Sequence, residues 1–305
     1  MNFTSLKQLV DICTVDKLSI GQYMLQEQAL ESGQSEQQTF DQMAGYYRIM
    51  KEAVNKGLTE NTVSRSGLTG GDAKRVWENK QSGQPSLGLE ASTAMAYALS
   101  VSEVNASMGR IIATPTAGSC GIIPGVFVSS QERFDWDDDR LILGLFSAGA
   151  IGYIIANNSF VSGAEGGCQA EVGSAIGMAA GALTELRGGT PEQAVHAVGL
   201  ALKNSLGLIC DPVGGLVEIP CIVRNGFGAV TALAAADMAL SGVKSVIPSD
   251  EVIQVMLEVG SSMPDAHRET AKGGLAQTPT GKRIMKSLYG SVSQSDNSDK
   301  EGDPT

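Results

Sequence analysis

Aromatic residues are scarce, 5% of 305 positions, and histidine occurs only twice. With few large side chains and 37 glycines, helices and turns must approach one another closely, and such packing leaves room for a prosthetic group. No Lys/Arg cluster appears, and the formal net charge is −11. Binding to a phosphate backbone needs a basic face, so nucleic acid is not an expected partner. Neither G-x-G-x-x-G nor a Walker A loop occurs, which removes the usual backbone cradles for nucleotide phosphates. No C-x-x-C pair is present, so a zinc ribbon or finger is not indicated. Met1 to Ile20 has no basic region followed by an apolar run, as a secretory leader would. The five cysteines, an odd number, are expected to be reduced thiols in the cytoplasm, free for metal binding or catalysis, rather than a disulfide framework.

One run carries no charge for sixteen residues, Leu141 to Ala156. This is short of the ~20 residues that span a bilayer core, and it reads as a buried core helix with no membrane role. Helix signals recur along the chain. Ser35 with Gln38 has capping-box spacing, and Phe40, Met43, Ala44, Tyr47, Met50 and Val54 follow a helical rhythm that Gly57 is expected to stop. Ser64–Gly71 and Gln81–Gly88 read as loops around a helical N-terminal third. An Ala/Ser-rich helix over Ala91–Met108 leads into a turn-rich Thr114–Gly125. Helices are further expected over Ser174–Leu186, from Thr190-Pro191-Glu192-Gln193 onward, over Gly228–Leu240, and from a cap at Ser249. Cys210–Arg224 is too broken by Pro and Gly to be one helix. The fold class is mainly α with few short strands: one catalytic domain of packed helices over 3–290, with Gly/Pro-rich loops around a site. Residues 291–305 form a polar tail of charge −3, expected to be disordered.

Cys168, Cys210 and Cys221 are separated by 41 and 10 residues, each in or beside a Pro/Gly-interrupted loop. Two readings stand side by side. Free cysteine is often an inert, buried small hydrophobe. Such loops also let backbone N–H groups turn toward an inorganic cluster, and three thiolates on a cubane would leave one iron open as a Lewis acid.

The residues around the cysteines carry a resemblance. Ser162-Gly163-Ala164-Glu165, Gly167-Cys168-Gln169-Ala170-Glu171-Val172-Gly173, Cys210-Asp211-Pro212-Val213-Gly214-Gly215 and Ile219-Pro220-Cys221-Ile222-Val223-Arg224-Asn225 resemble the cluster-binding segments of iron–sulfur L-serine dehydratases. Thr114-Pro115-Thr116-Ala117-Gly118 with Gly121-Ile122-Ile123-Pro124 is similar to that family's substrate loop. Arg268-Glu269-Thr270 and Gly273-Gly274-Leu275-Ala276 are similar to its closing motif. The resemblance covers about 60–285 and implies a [4Fe–4S] cluster on Cys168, Cys210 and Cys221, with L-serine at the unique iron. It also implies that this is the α-chain of a two-subunit form with a separate β-chain. The expected reaction is β-elimination of water from L-serine, ending in pyruvate and ammonia.

Within that resemblance, Glu165 and Glu171 are the candidate bases, or else carboxylates that orient ligands; a base from the partner chain is the other option. Thr116, Ala117, Gly118 and Ser119 are candidate donors to the substrate carboxylate, with Ser66, Asn158 and Ser162 as further binding candidates. Arg224 would pair with the substrate carboxylate, with cluster charge, or with Glu218. Cys120 falls in the substrate loop, either near the site or simply packed; Cys13 matches no ligand position. His196 reads as structural, and His267 is given no role. The rival readings are an iron–sulfur lyase acting on another amino acid, such as a cysteine desulfidase, and a small-residue helical membrane or scaffold subunit. A pyridoxal-phosphate enzyme would need a Schiff-base lysine beside a phosphate cup, and Lys203 and Lys244 lie in neither context.

Overall fold

Capping signals in the sequence become helix starts. The Ser35 hydroxyl accepts the Gln38 N–H and the Gln38 side chain accepts from the Ser35 N–H; Thr190 and Gln193 repeat the arrangement, with Pro191 at the first helical position. A third capping box, Ser19 with Gln22, starts a helix nearer the N-terminus. In the computed structural model, which describes residues 1–290, thirteen α-helices are found. They are Leu6–Asp16 (α1), Ile20–Ser32 (α2), Glu36–Thr59 (α3), Asp72–Ser82 (α4), Gly88–Ala106 (α5), Ile122–Phe134 (α6), Asp138–Asn158 (α7), Gly163–Gly166 (α8), Ser174–Leu186 (α9), Pro191–Ser205 (α10), Cys221–Leu240 (α11), Ser249–Ser262 (α12) and Pro279–Tyr289 (α13). The expected tail, 291–305, lies outside the described residues.

The chain is mainly α, as its sequence implies. Among the described residues, extended pairing amounts to one parallel bridge, Cys210 with Arg268. Two helices built from small residues form the centre. α5 packs against α3, α4, α6 and α11, and α9 packs against α6, α7, α10 and α11. α7 is long and apolar enough to cross a membrane, yet most of it is buried inside the protein, against α2 and α9. It is the core helix expected.

Several boundaries differ from expectation for local physical reasons. α3 runs through Gly57 to Thr59. Gly57 serves packing rather than termination: a Cβ there would lie 2.6 Å from the Ser100 carbonyl oxygen of α5. The turn-rich segment after Thr114 becomes helical at Ile122 because Pro124 falls in the first turn of α6, where a missing N–H breaks no bond. α11 begins at Cys221, seven residues before the expected start, since Pro220 lies outside the helix. Ser249 does not cap α12; its hydroxyl donates to the Val195 carbonyl at 2.6 Å, and Pro248 occupies the cap position.

α4 shows a cap supplied from elsewhere. Gly71 precedes it with no side chain to offer, and Glu103 of α5 accepts the Asp72 N–H at 2.6 Å and the Ala73 N–H at 3.4 Å. Its other oxygen, Oε2, is buried without a partner. Burial raises the Glu103 carboxyl above its ordinary 4.5, against the lowering effect of those amides. The folded state therefore holds this proton to higher pH than the unfolded state, so its contribution to stability declines as pH rises from about 4.5 toward the folded value. Glu103→Gln keeps an acceptor for the helix and does not titrate. We expect its melting temperature to gain on the wild type as pH rises from 5 to 8; a pH-independent difference would contradict this account.

Candidate functional site

Four loops and the N-terminal ends of α9 and α11 meet at one place. After α7 the chain turns through α8 to Gly167, whose φ of 74° lies in the left-handed region, and so reaches Cys168. Gln169–Gly173 then forms a π-helical turn that widens the entry to α9. Gln169 fixes this turn. Its amide donates to the Met256 carbonyl at 2.9 Å and its oxygen accepts the Gly207 N–H at 2.8 Å. Cys210 is held by backbone pairing on both sides, its N–H to the His267 carbonyl at 2.8 Å and its carbonyl from the Glu269 N–H at 2.9 Å. The loop after it is closed by Val213 N–H to the Ile219 carbonyl at 2.8 Å and delivers Cys221 as the first residue of α11.

The three cysteines are 0%, 1% and 4% exposed in chain order. A ligating atom from each of Cys168, Glu171 and Cys210 lies within 4.8 Å of the other two. Cys221 adjoins them: burial raises its thiol, and the charges of Cys168 and Glu171 raise it further. Arg224, one turn into α11, donates to Cys168 Sγ at 3.1 Å, to the Ile209 carbonyl at 2.9 Å and to Asp211 Oδ1 at 3.0 Å. Cys168 is held below the ordinary thiol range, first by the hydrogen bond from Cys210 and then by Arg224, against its burial. Cys210 is pushed above that range because it keeps the shared proton. Arg224 thus meets a cysteine sulfur and Asp211 rather than Glu218, whose carboxylate takes the hydroxyls of Ser66 at 2.7 Å and Thr69 at 3.0 Å.

The opposite wall is the 114–121 loop. Glu171 accepts from the Thr116 hydroxyl, and a Cβ on Gly118 would lie 2.5 Å from its Oε1, so a larger residue there would displace the carboxylate. Ser119 is fully buried and donates to the Thr114 carbonyl at 3.0 Å; the Ala117 carbonyl accepts from Asn105 at 3.2 Å. Asn225 binds this loop to α11, accepting the Gly121 N–H at 2.9 Å and donating to the carbonyls of Gly118 at 2.7 Å and Cys221 at 2.9 Å. Burial, followed by repulsion from Glu269, raises the Glu171 carboxyl despite the Thr116 bond.

The two candidate bases are thus in different settings. Glu171 is buried among the thiols, whereas Glu165 is exposed and accepts from Ser162 at 2.8 Å. Ser66 is joined to the site through Glu218, three residues before Cys221. The Asn158 amide is spent on the carbonyls of Thr4 at 2.9 Å and Ile154 at 2.8 Å, so it fastens the N-terminal segment. Cys120 and Cys13 are core residues, both thiols raised to about 12 chiefly by burial, and neither joins the thiol group. Sequence reasoning assigned no role to Asp211 or Asn225. Each is a polar residue directly after a residue already singled out, Cys210 and Arg224, and that adjacency was the available signal.

Similarity to known proteins bears on this geometry. Residues 15–276 match the family model described as serine dehydratase alpha chain. A Bacillus subtilis protein named "Probable L-serine dehydratase, alpha chain" is 47% identical over 94% of this chain and 96% of its own length. The "L-serine dehydratase, alpha chain" of Peptoniphilus asaccharolyticus is 43% identical over 92% of this chain and 96% of that one. The longer "L-serine dehydratase" of Streptomyces coelicolor is 40% identical over 88% of this chain but only 59% of its own length. With the family model spanning most of its length around the converging cysteines, this chain belongs to the serine dehydratase alpha-chain family.

Proposed function

We propose that this chain is the catalytic α-chain of an L-serine dehydratase, a lyase that converts L-serine to pyruvate and ammonia together with a β-chain, using a [4Fe–4S] cluster held by Cys168, Cys210 and Cys221. One observation carries the reading: buried Cys168 and Cys210 converge with the buried carboxylate of Glu171, and buried Cys221 opens the helix whose Arg224 donates to Cys168 Sγ. The residues suit such a group. Arg224 already donates to one sulfur at 3.1 Å, and an N–H bond to a cluster sulfur is a usual device for stabilising and tuning it. Cys168 precedes α9, and Cys221 opens α11, where the positive end of the helix favours thiolate. When bound, the cluster supplies an iron without a protein ligand, a Lewis acid for the departing serine hydroxyl.

The chain's own residues do the rest. The Thr116–Ser119 loop faces Glu171 and receives the substrate carboxylate through backbone N–H groups, the Thr116 hydroxyl being given to Glu171. That places Cα toward Glu171, whose carboxylate removes the Cα proton as the Cβ hydroxyl departs as hydroxide, the two together making up the water lost. The Thr116 hydroxyl holds this carboxylate in place, and burial tunes its proton affinity upward toward the working range of a general base. The product, aminoacrylate, tautomerises and hydrolyses in water to pyruvate and ammonia. Anaerobic purification with the β-chain should give brown protein with about four irons and four sulfides per α-chain and pyruvate formation from L-serine. Serine turnover by an iron-free, colourless preparation would overturn the cluster, and turnover of L-cysteine alone would overturn the substrate.

A further inference from the structure

We propose that Asp211 is a positioning residue that couples the segment Gly273–Gln277 to the hydrogen bond Arg224 donates to Cys168. Asp211 is 3% exposed, and its two oxygens are spent in different directions. Oδ1 accepts from Arg224 at 3.0 Å and Oδ2 accepts the Leu275 N–H at 2.8 Å. The second contact is tight. A Cβ on Gly274, whose φ is 56°, would lie 2.4 Å from Oδ2, so the segment rests directly on the carboxylate. On the other side Arg224 is held by three bonds, to Asp211, to the Ile209 carbonyl at 2.9 Å and to Cys168 Sγ at 3.1 Å. A planar guanidinium holding three partners cannot pivot toward one without leaving another. Asp211 therefore fixes the angle of the fork, and any displacement of Gly273–Gln277 reaches the Cys168 sulfur through it. Asparagine cannot replace it, because its NH₂ would face either Arg224 or the Leu275 N–H, donor against donor.

The inference rests on the reading that Cys168 holds a cluster iron, and it is tested by two arms that separate the two claims. The first needs no metal. In the full chain, Arg224→Gln should speed hydrogen exchange at the Leu275 amide at least tenfold, although Arg224 does not touch that residue; unchanged exchange would overturn the coupling. The second uses the cluster-loaded enzyme with its β-chain. Hydrogen bonds to the sulfurs help set a cluster's potential. Arg224→Gln should move the midpoint potential to more negative values, and the shift produced by Asp211→Asn should be more negative in the wild-type background than in Arg224→Gln, a difference in which the effect of the lost carboxylate charge cancels. Additive shifts would mean Asp211 serves the loop alone. If Asp211→Asn fails to fold, Leu275→Pro removes the N–H that Asp211 accepts while keeping the carboxylate charge, and should shift the potential to more negative values; no shift would count against the coupling. A wild-type chain that holds no iron sinks the cluster reading, while the exchange measurement still decides whether the two elements are linked.

Discussion

Replacing Glu171 with glutamine is expected to lower kcat for L-serine about 10²–10⁴-fold, the usual worth of a positioned general base, while iron content and melting temperature stay near wild type. Glutamine keeps the shape of the side chain and an oxygen to accept from Thr116, so the wall built by Gly118 remains in place, but it takes up no proton. The same carboxylate should set the acid limb of the pH profile. Burial first, and repulsion from Glu269 second, hold Glu171 above the ordinary carboxylate range. A base must be unprotonated to act, so kcat/KM should fall as pH drops through this raised value. Glu269→Gln removes the repulsion without touching the base; the acid limb should then move to lower pH. A profile that keeps its limb in Glu171→Gln, or turnover within a few-fold of wild type, would assign proton removal to another group, the partner chain being the obvious source.

How much of this was legible in the sequence depends on the scale of the signal. Capping at Ser35 and Thr190 could be read directly because both reciprocal bonds lie within four residues. The buried α7 could be read from its uncharged run. The start of α11 could not: Gly and Pro between Cys210 and Pro220 look like a continuous breaker, and only the tertiary contacts of Asn225 and Arg224 show that helix resumes at Cys221. The site was half legible for the same reason. The cysteine-bearing motifs are local strings of residues, whereas the choice between Glu165 and Glu171 is not. Each lies three residues from Cys168, on opposite sides, and what separates them is the π-helical turn. It directs Glu171 inward against Thr116, while Glu165 stays on the exposed turn of α8. Arg224 shows the same limit. The sequence offers it the substrate carboxylate, cluster charge or Glu218, six residues away, whereas the structure pairs it with Asp211 across the loop and with Cys168, a placement that satisfies two buried groups at once.

Single serine substitutions at Cys168, Cys210 and Cys221 should each strip the iron, from about four atoms per chain to well below one, and take pyruvate formation to background. Serine is close to cysteine in size, so the loss is one of ligand chemistry: an alcohol does not ionise near neutral pH, and its oxygen is a poor match for the soft iron–sulfide core. Cys13 and Cys120 provide the control. They are equally buried but lie apart from the thiol group, so Cys13→Ser and Cys120→Ser should keep their iron. They should instead lose stability by roughly 1–3 kcal/mol for a hydroxyl buried without a ready partner, read as a lower melting temperature. The contrast makes position, not thiol number, the variable. Should Cys120→Ser lose iron while Cys221→Ser retains it, the ligand set would have to be redrawn around the 114–121 loop. Should all five variants keep iron and turnover, the converging thiols would be core residues, and the chemistry would have to reside on the β-chain.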